Sequence, residues 1–205
     1  MMKTRPRPKV MITILCGQER THWINPSLMQ TLFQMQRDQR FESCIFPVQD
    51  VRPFELARNV SVEVARKASA DWLVSFDNDN FMYGYNTPLD ALAIARGRSI
   101  ISFPCGFLVE GQAHMREYGN EFTEVAFIGT GVIAIHRTVW EKIPAPWFKG
   151  VVPDSATALR SGDLRSGCGE DGFFQKRAQE HGFKLWAAPF LCGHYKTVDL
   201  TQLFV

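Results

Sequence analysis

The chain alternates short apolar runs with stretches of helical spacing. Residues 10–15 (VMITIL) are apolar and β-branched without interruption, the pattern of a strand buried on both faces. After a polar loop at 16–20, Leu28, Leu32 and Met35 recur on one side of a segment from about 26 to 37, which predicts a helix. A second strand is expected at about 43–48. Pro53 suits the start of a helix, and Ala57, Val60, Val64 and Ala68 would line one side of it. Residues 71–76 (DWLVSF) predict a central strand that runs straight into Asp77-Asn78-Asp79-Asn80. Thr87 as cap, Pro88 as first position, Asp90 as capping-box acid and Gly97 past the end delimit a third helix. A strand at 99–103 follows. The first half thus alternates strand and helix, as a mostly parallel sheet covered on both faces requires.

The second half reads differently. Strands at about 122–127 and 132–136 flank Gly129-Thr130-Gly131, and a short helix follows at 138–143. Residues 144–168 are loop-rich and carry the tetrapeptide LRSG twice, too little for a repeat architecture. A helix is expected at 170–181, stopped by Gly182, then a last strand at 184–191 and Gly193-His194. No linker divides the chain. The expected organisation is a flexible basic arm over residues 1–9, with Lys3, Arg5, Arg7 and Lys9, and one domain over residues 10–205.

Composition changes this picture little. With 205 residues, 45% hydrophobic and 21% charged, the chain is an ordinary globular domain. A net charge of +2 gives no support to a nucleic-acid partner. The five cysteines (16, 44, 105, 168 and 192) are odd in number and show no C-x-x-C spacing. That argues against a disulfide framework or zinc knuckle and favours a reducing compartment. No apolar run approaches the roughly 20 residues of a transmembrane segment, and no signal peptide is visible. A cytoplasmic protein is expected.

Three places carry candidate chemistry. Asp77 and Asp79 stand two apart at the end of an apolar strand, where extended geometry aims both carboxylates to one side. Ligands of open α/β sheets bind beyond the carboxyl ends of strands. A hard divalent cation relieves the repulsion between such acids and leaves positions free for phosphate oxygens. Glu170-Asp171 opens a helix, either as a dipole-stabilising terminus or as a general base aimed into the cleft. His194 is either a packed or surface histidine or a metal ligand. In the second case, imidazole beside carboxylate favours Mn²⁺ over Mg²⁺. Trp147 and Phe148 either stack on an acceptor sugar or pack beneath a loop.

Four stretches together resemble the GT-A superfamily of nucleotide-sugar glycosyltransferases, especially its family-2-like members. They are ELARNVSVEVARKASADWLVSFDNDN, FIGTGVIAIHRTVWEKIPAPWF, GEDGFFQKRAQEHGFKLWAAP and LCGHYK. The resemblance spans nearly the whole chain, about residues 10–195. It implies a Rossmann-like α/β fold: a mostly parallel central sheet flanked by helices, with a small antiparallel second sheet. It also implies transfer of a sugar from a nucleoside-diphosphate donor to a hydroxyl of a glycan, lipid or protein, with Mn²⁺ or Mg²⁺ as cofactor.

The roles it implies are these. Asp79 binds the metal, Asp77 contacts metal or donor, and His194 completes the metal site. Asp171 is the catalytic base, and Glu170 meets the acceptor. Cys16, Gly17, Asp50, Arg58, Asn78 and Gly131 border the donor. Two stretches depart from the family pattern: CGQER follows the first strand, and Asp50 is the lone acid in VQDVR. Any acceptor-binding extension is absent after His194 or comes from another subunit of a homo-oligomer. The glycine-, serine- and arginine-bearing segment 152–169 is expected to close over the donor, with Arg160 or Arg165 approaching the diphosphate. A retaining transferase of the same fold, a nucleotidyltransferase and a non-catalytic nucleotide-sugar-binding module are the competing readings.

Overall fold

A computed structural model describes residues 6–16, 24, 26–105, 107–109, 112–114, 121–150 and 169–194. In chain order the elements are β1 (Lys9–Cys16), α1 (Pro26–Arg37), β2 (Glu42–Gln49), α2 (Phe54–Lys67), β3 (Trp72–Asp77), β4 (Asn80–Met82) and α3 (Pro88–Ala93). Then come β5 (Ile100–Ser102), β6 (Phe107–Val109), β7 (Gln112–His114), β8 (Thr123–Val125), β9 (Val132–His136) and α4 (Arg137–Lys142). The last are α5 (Glu170–Glu180), β10 (Leu185–Ala187) and β11 (Cys192–His194).

Seven strands form one sheet in the order β2-β1-β3-β9-β5-β10-β8. β1 pairs in parallel with β2 and β3, and β5 with β10. β9 runs against both β3 and β5, and β8 runs against β10. Five strands therefore point one way, and their carboxyl ends share one edge. A small antiparallel sheet of β4 and β11 stands beside it, with His194 opposite Asn80 and Gly193 opposite Phe81.

The alternation along the central strands explains the layers. Val10, Ile12 and Ile14 of β1 and Trp72, Val74 and Phe76 of β3 bury themselves against Leu28, Leu32 and Met35 of α1 and Leu89 and Leu92 of α3. Met11 and Leu73 point the other way, toward Val62 and Ala65 of α2, Trp140 of α4 and Phe174 and Ala178 of α5. Ile12 and Val74 are fully buried, each side chain contributing about 1.5–3 kcal/mol by removal from water. At α3, Asp90 Oδ2 accepts the Thr87 N–H at 2.7 Å, the expected capping box, although the helix ends at Ala93, short of Gly97.

Two expectations change. α2 buries Ala57, Arg58, Ser61, Val62 and Ala65, whereas Ala68 is exposed and Val60 and Val64 are only partly covered. Its inner face is therefore turned from the one the apolar spacing marks, because Arg58 and Ser61 are drawn inward. Cys105 and Cys192 are joined as a disulfide, their Cα atoms 4.8 Å apart. The two residues are 87 positions apart and meet through a parallel bridge between neighbouring strand ends, which local spacing cannot reveal. At the N-terminus, Lys9 already belongs to β1, and Arg7 donates to Gln39 Oε1 at 3.3 Å. Among the described residues, no helix is long and apolar enough to cross a membrane.

Candidate functional site

β3 delivers Asp77 as its last residue, and the chain turns through Asn78 and Asp79 before entering β4. The Asp77 N–H donates to Gly131 O at 2.8 Å and the Asn78 N–H to Leu15 O at 3.2 Å, so the turn is stitched to β9 and β1. Gly131 has no room for a side chain: a Cβ there would sit 2.9 Å from Asn80 Oδ1. The Asn80 side-chain amide fills the space a Cβ would need, so the glycine lets it pack there.

At the far side of the turn, Asp79 Oδ2 lies 2.8 Å from His194 Nε2. Strand β11 brings the histidine there through its pairing with β4, 115 positions along the chain. Burial works against the charge on Asp79, yet the hydrogen bond and charge of His194 hold its carboxyl below the ordinary aspartate range.

Asp77 faces a different partner. Arg58 Nη2 stands 3.2 Å from Asp77 Oδ1 and donates to Oδ2 at 3.3 Å. Arg58 Nε lies 3.3 Å from Glu170 Oε1 and 3.7 Å from Asp171 Oδ1, and Nη1 donates to Thr130 O at 3.2 Å. The Thr130 hydroxyl donates to Asp171 Oδ1. One guanidinium, 4% exposed, thus gathers three carboxylates from two elements. Burial opposes its charge, but Asp77, Asp171 and Glu170 together raise its pKa further. Burial pushes Asp77 up to about 7 against the pull of Arg58, with Asp79 and Asp171 adding repulsion. Asp171 is likewise raised by burial, with Arg58 and Thr130 opposing.

The sites expected from sequence therefore fall into groups. Asp79 meets His194. Asp77, Glu170 and Asp171 meet on Arg58. Among the described residues no third acid, histidine or cysteine joins the Asp79–His194 pair, so Asp77 is not brought to it as a ligand. Arg58, expected along the donor, is instead buried among the acids. Trp147, expected against an acceptor sugar, is core: it is 6% exposed, and its indole N–H donates to Ile143 O at 2.8 Å. Phe148 stacks on Phe174 at 4.6 Å. Cys16 is buried at the end of β1, its thiol raised by burial and then by nearby Asp50. Asp50 stands at the end of β2 with a positive φ of 55°. Gly17 and segment 152–168, with Arg160 and Arg165, lie outside the described residues.

Sequence reasoning passed over two contributors. Thr130, 1% exposed between two glycines, orients Asp171. Asn59 Oδ1 accepts the N–H groups of Trp147 and Phe148 at 2.9 and 3.1 Å and fixes the segment beside α5. An amide side chain on a helix next to a buried arginine is the only sequence signal for the second.

A divalent cation fits the donor set at Asp79 and His194. One carboxylate and one imidazole suit Mn²⁺, and any further positions would fall to donors from outside the described residues, since no third acid, histidine or cysteine among them joins the pair. Asp77 Oδ1 accepts no hydrogen bond and has Arg58 Nη2 3.2 Å away as its ionic partner.

No protein-family model matches the chain, and no curated protein does. Among solved structures, A197 from STIV aligns over 93% of this chain and 86% of its own, at 16% identity and a TM-score of 0.57. This chain shares the fold of A197. A glycosyltransferase involved in the glycosylation of the major capsid of PBCV-1 aligns over 93% of this chain and 96% of its own, at 16% identity and a TM-score of 0.39. A Drosophila galactosyltransferase 7 mutant, in complex with manganese, UDP-Gal and xylobiose, aligns over 95% and 78%, at 13% identity and a TM-score of 0.46. The likeness to A197 is one of fold alone.

Proposed function

We propose that this protein transfers a sugar from a nucleoside-diphosphate donor to an acceptor hydroxyl, with Mn²⁺ or Mg²⁺, and with inversion at the anomeric carbon. The observation that carries the reading is the Asp79–His194 pair, 2.8 Å apart, one turn away from an acid cluster gathered on Arg58. Asp79 and His194 would hold the cation, which offsets negative charge on the departing diphosphate. For both to ligate, the proton shared between them must leave.

Asp171 accepts the proton of the acceptor hydroxyl as that oxygen attacks the anomeric carbon. The bond from that carbon to the acceptor forms while its bond to the diphosphate breaks, and the electron pair departs with the diphosphate. Burial raises the Asp171 pKa toward the working range of a general base, while Thr130 and Arg58 fix its carboxylate. In this reading Glu170, on the same first turn of α5, meets the acceptor. Cys16, Gly17, Asp50, Asn78 and Gly131 border the donor in this reading.

The test is binding of UDP, GDP and dTDP by calorimetry, in Mn²⁺ and in excess chelator. Binding that needs Mn²⁺ and disappears in Asp79→Ala is expected. Equal affinity in chelator removes the metal-dependent reading. Release of pyrophosphate from a nucleoside triphosphate, without sugar transfer, would instead assign a nucleotidyltransferase.

A further inference from the structure

A hollow of about 340 Å³ opens between α1 and the chain that leaves the Asp79 turn. Its floor is the packing of α1 on β4, where the Met82 N–H donates to Thr31 Oγ1 at 3.4 Å. One wall is Gln30 and Gln34 of α1; the other is Phe81, Tyr83 and Tyr85. None of the described residues that line it carries a charge.

The aromatic wall follows from strand alternation. Asn80 and Met82 are buried, so Phe81 and Tyr83 turn outward together and meet edge to face at 5.3 Å. Phe81 is also held from behind, because its ring lies over the position a side chain at Gly193 would take. Tyr83 is 50% exposed and Tyr85 88% exposed, far more than tyrosines with only a structural task. The side chains of Gln30, Gln34, Tyr83 and Tyr85 make no hydrogen bond within the described residues, so two amides and two hydroxyls border the hollow with their hydrogen-bonding capacity unused.

That combination selects its ligand. Uncharged walls offer no counter-charge to a phosphate group. Exposed rings beside amides that both donate and accept match a pyranose, which has an apolar C–H face and a rim of hydroxyls. The hollow is of ordinary ligand-site size. It also borders the same small sheet as the candidate metal pair: Asp79 lies at one end of β4, and Tyr83 four residues on is roughly 13 Å away at the rise of a strand.

We propose that this hollow is a carbohydrate subsite, which holds an acceptor glycan some sugar units away from the hydroxyl that reacts. The assignment of the bound glycan as acceptor rests on the transferase reading above. The site makes the acceptor an oligosaccharide chain, not a lipid or a lone monosaccharide.

The experiment titrates the full chain, in chelator and without nucleotide, with maltotetraose, cellotetraose, xylotetraose and chitotetraose in turn. Backbone amide shifts at Gln34 and Gly84 are followed by NMR. Saturable shifts with at least one tetrasaccharide are expected. Affinity should fall about tenfold or more in Tyr83→Ala and in Gln34→Ala, both at exposed or half-exposed positions. No saturable shift with any of the four, or affinity unchanged in both variants, overturns the subsite. Nucleotide binding with Mn²⁺ is read on the same variants. If it persists where glycan binding is absent from the unmodified chain, the subsite alone is wrong. Glycan binding without any Mn²⁺–nucleotide binding keeps the subsite and overturns the transferase reading.

Discussion

Arg58 Nη2 lies 3.2 Å from Asp77 Oδ1, so a cation buried in the second helix faces the first acid of the strand-end triplet. The same guanidinium reaches both acids that open α5. Removing one partner of a buried ion pair costs more than the pair is worth, because the remaining charges stay behind uncompensated. Arg58→Met is therefore expected to destabilise the protein by about 2 kcal/mol, below the value for a wholly buried pair because the three acids are partly solvated. Urea unfolding measures it. Adding Asp77→Asn should restore part of the loss. Strict additivity of the two changes would mean that Arg58 and Asp77 do not interact.

Asp77 also gives stability a pH dependence. Its carboxyl rises from an ordinary aspartate value to about 7 on folding. Between those two values the folded state holds a proton that the unfolded state has lost. Stability must then fall as pH rises through that window. In chelator, the midpoint of thermal unfolding is expected to be higher at pH 5 than at pH 7.5. Asp77→Asn, which cannot ionise, should flatten the trend. An unchanged trend in that variant would assign it elsewhere; raised Asp171 acts in the same sense and is the first alternative to examine.

The parts that could be read in the sequence are those set by local pattern. α1 and β9 have the expected limits, and Leu28, Leu32 and Met35 are buried as the spacing requires. Thr87, Pro88 and Asp90 cap α3 as their order implies. What escaped was long-range. β4 and β11 are three residues each, too short to signal alternation, and each exists through pairing with the other. The buried face of α2 is set by an arginine that three distant acids draw inward, so an apolar-only count selects the wrong side. Trp147 shows the same limit. Its indole finds Ile143 O four residues back, and nothing in the local sequence separates that from an exposed platform.

The Cys105–Cys192 link ties the segment after β5 to β11, the strand that carries His194. Closing a loop of this length restricts the unfolded chain, and chain-entropy arguments put the stabilisation at about 4–5 kcal/mol. A dithiol reductant is expected to lower stability by an amount of that order. In Cys105→Ala/Cys192→Ala it should have no effect. Thiol titration of the denatured chain before and after reduction provides a direct count: at least two more reactive groups are expected after reduction, whereas no gain would mean that the link does not form.

Asp171 is the group on which the proposed chemistry turns. It opens α5, where the helix dipole favours its charged form, yet burial raises its pKa. Its Oδ1 is engaged by the Thr130 hydroxyl and lies 3.7 Å from Arg58 Nε. Asp171→Asn preserves shape and removes proton acceptance. Transfer is expected to fall by roughly 10²–10⁴-fold, the usual contribution of a general base. Binding of nucleoside diphosphate with Mn²⁺ should survive, since Asp79 and His194 are untouched. Thr130→Val removes the hydroxyl that orients the carboxylate. Its rate loss should be smaller and should appear in kcat with KM for donor unchanged, as positioning of a base requires. Glu170→Gln should instead raise KM for acceptor, with little loss at saturation. The anomeric configuration of the product decides among these. If Asp171→Asn transfers at a near-normal rate and the product keeps the configuration of the donor, proton abstraction by Asp171 is not part of the reaction. The acids around Arg58 would then serve binding in a retaining enzyme.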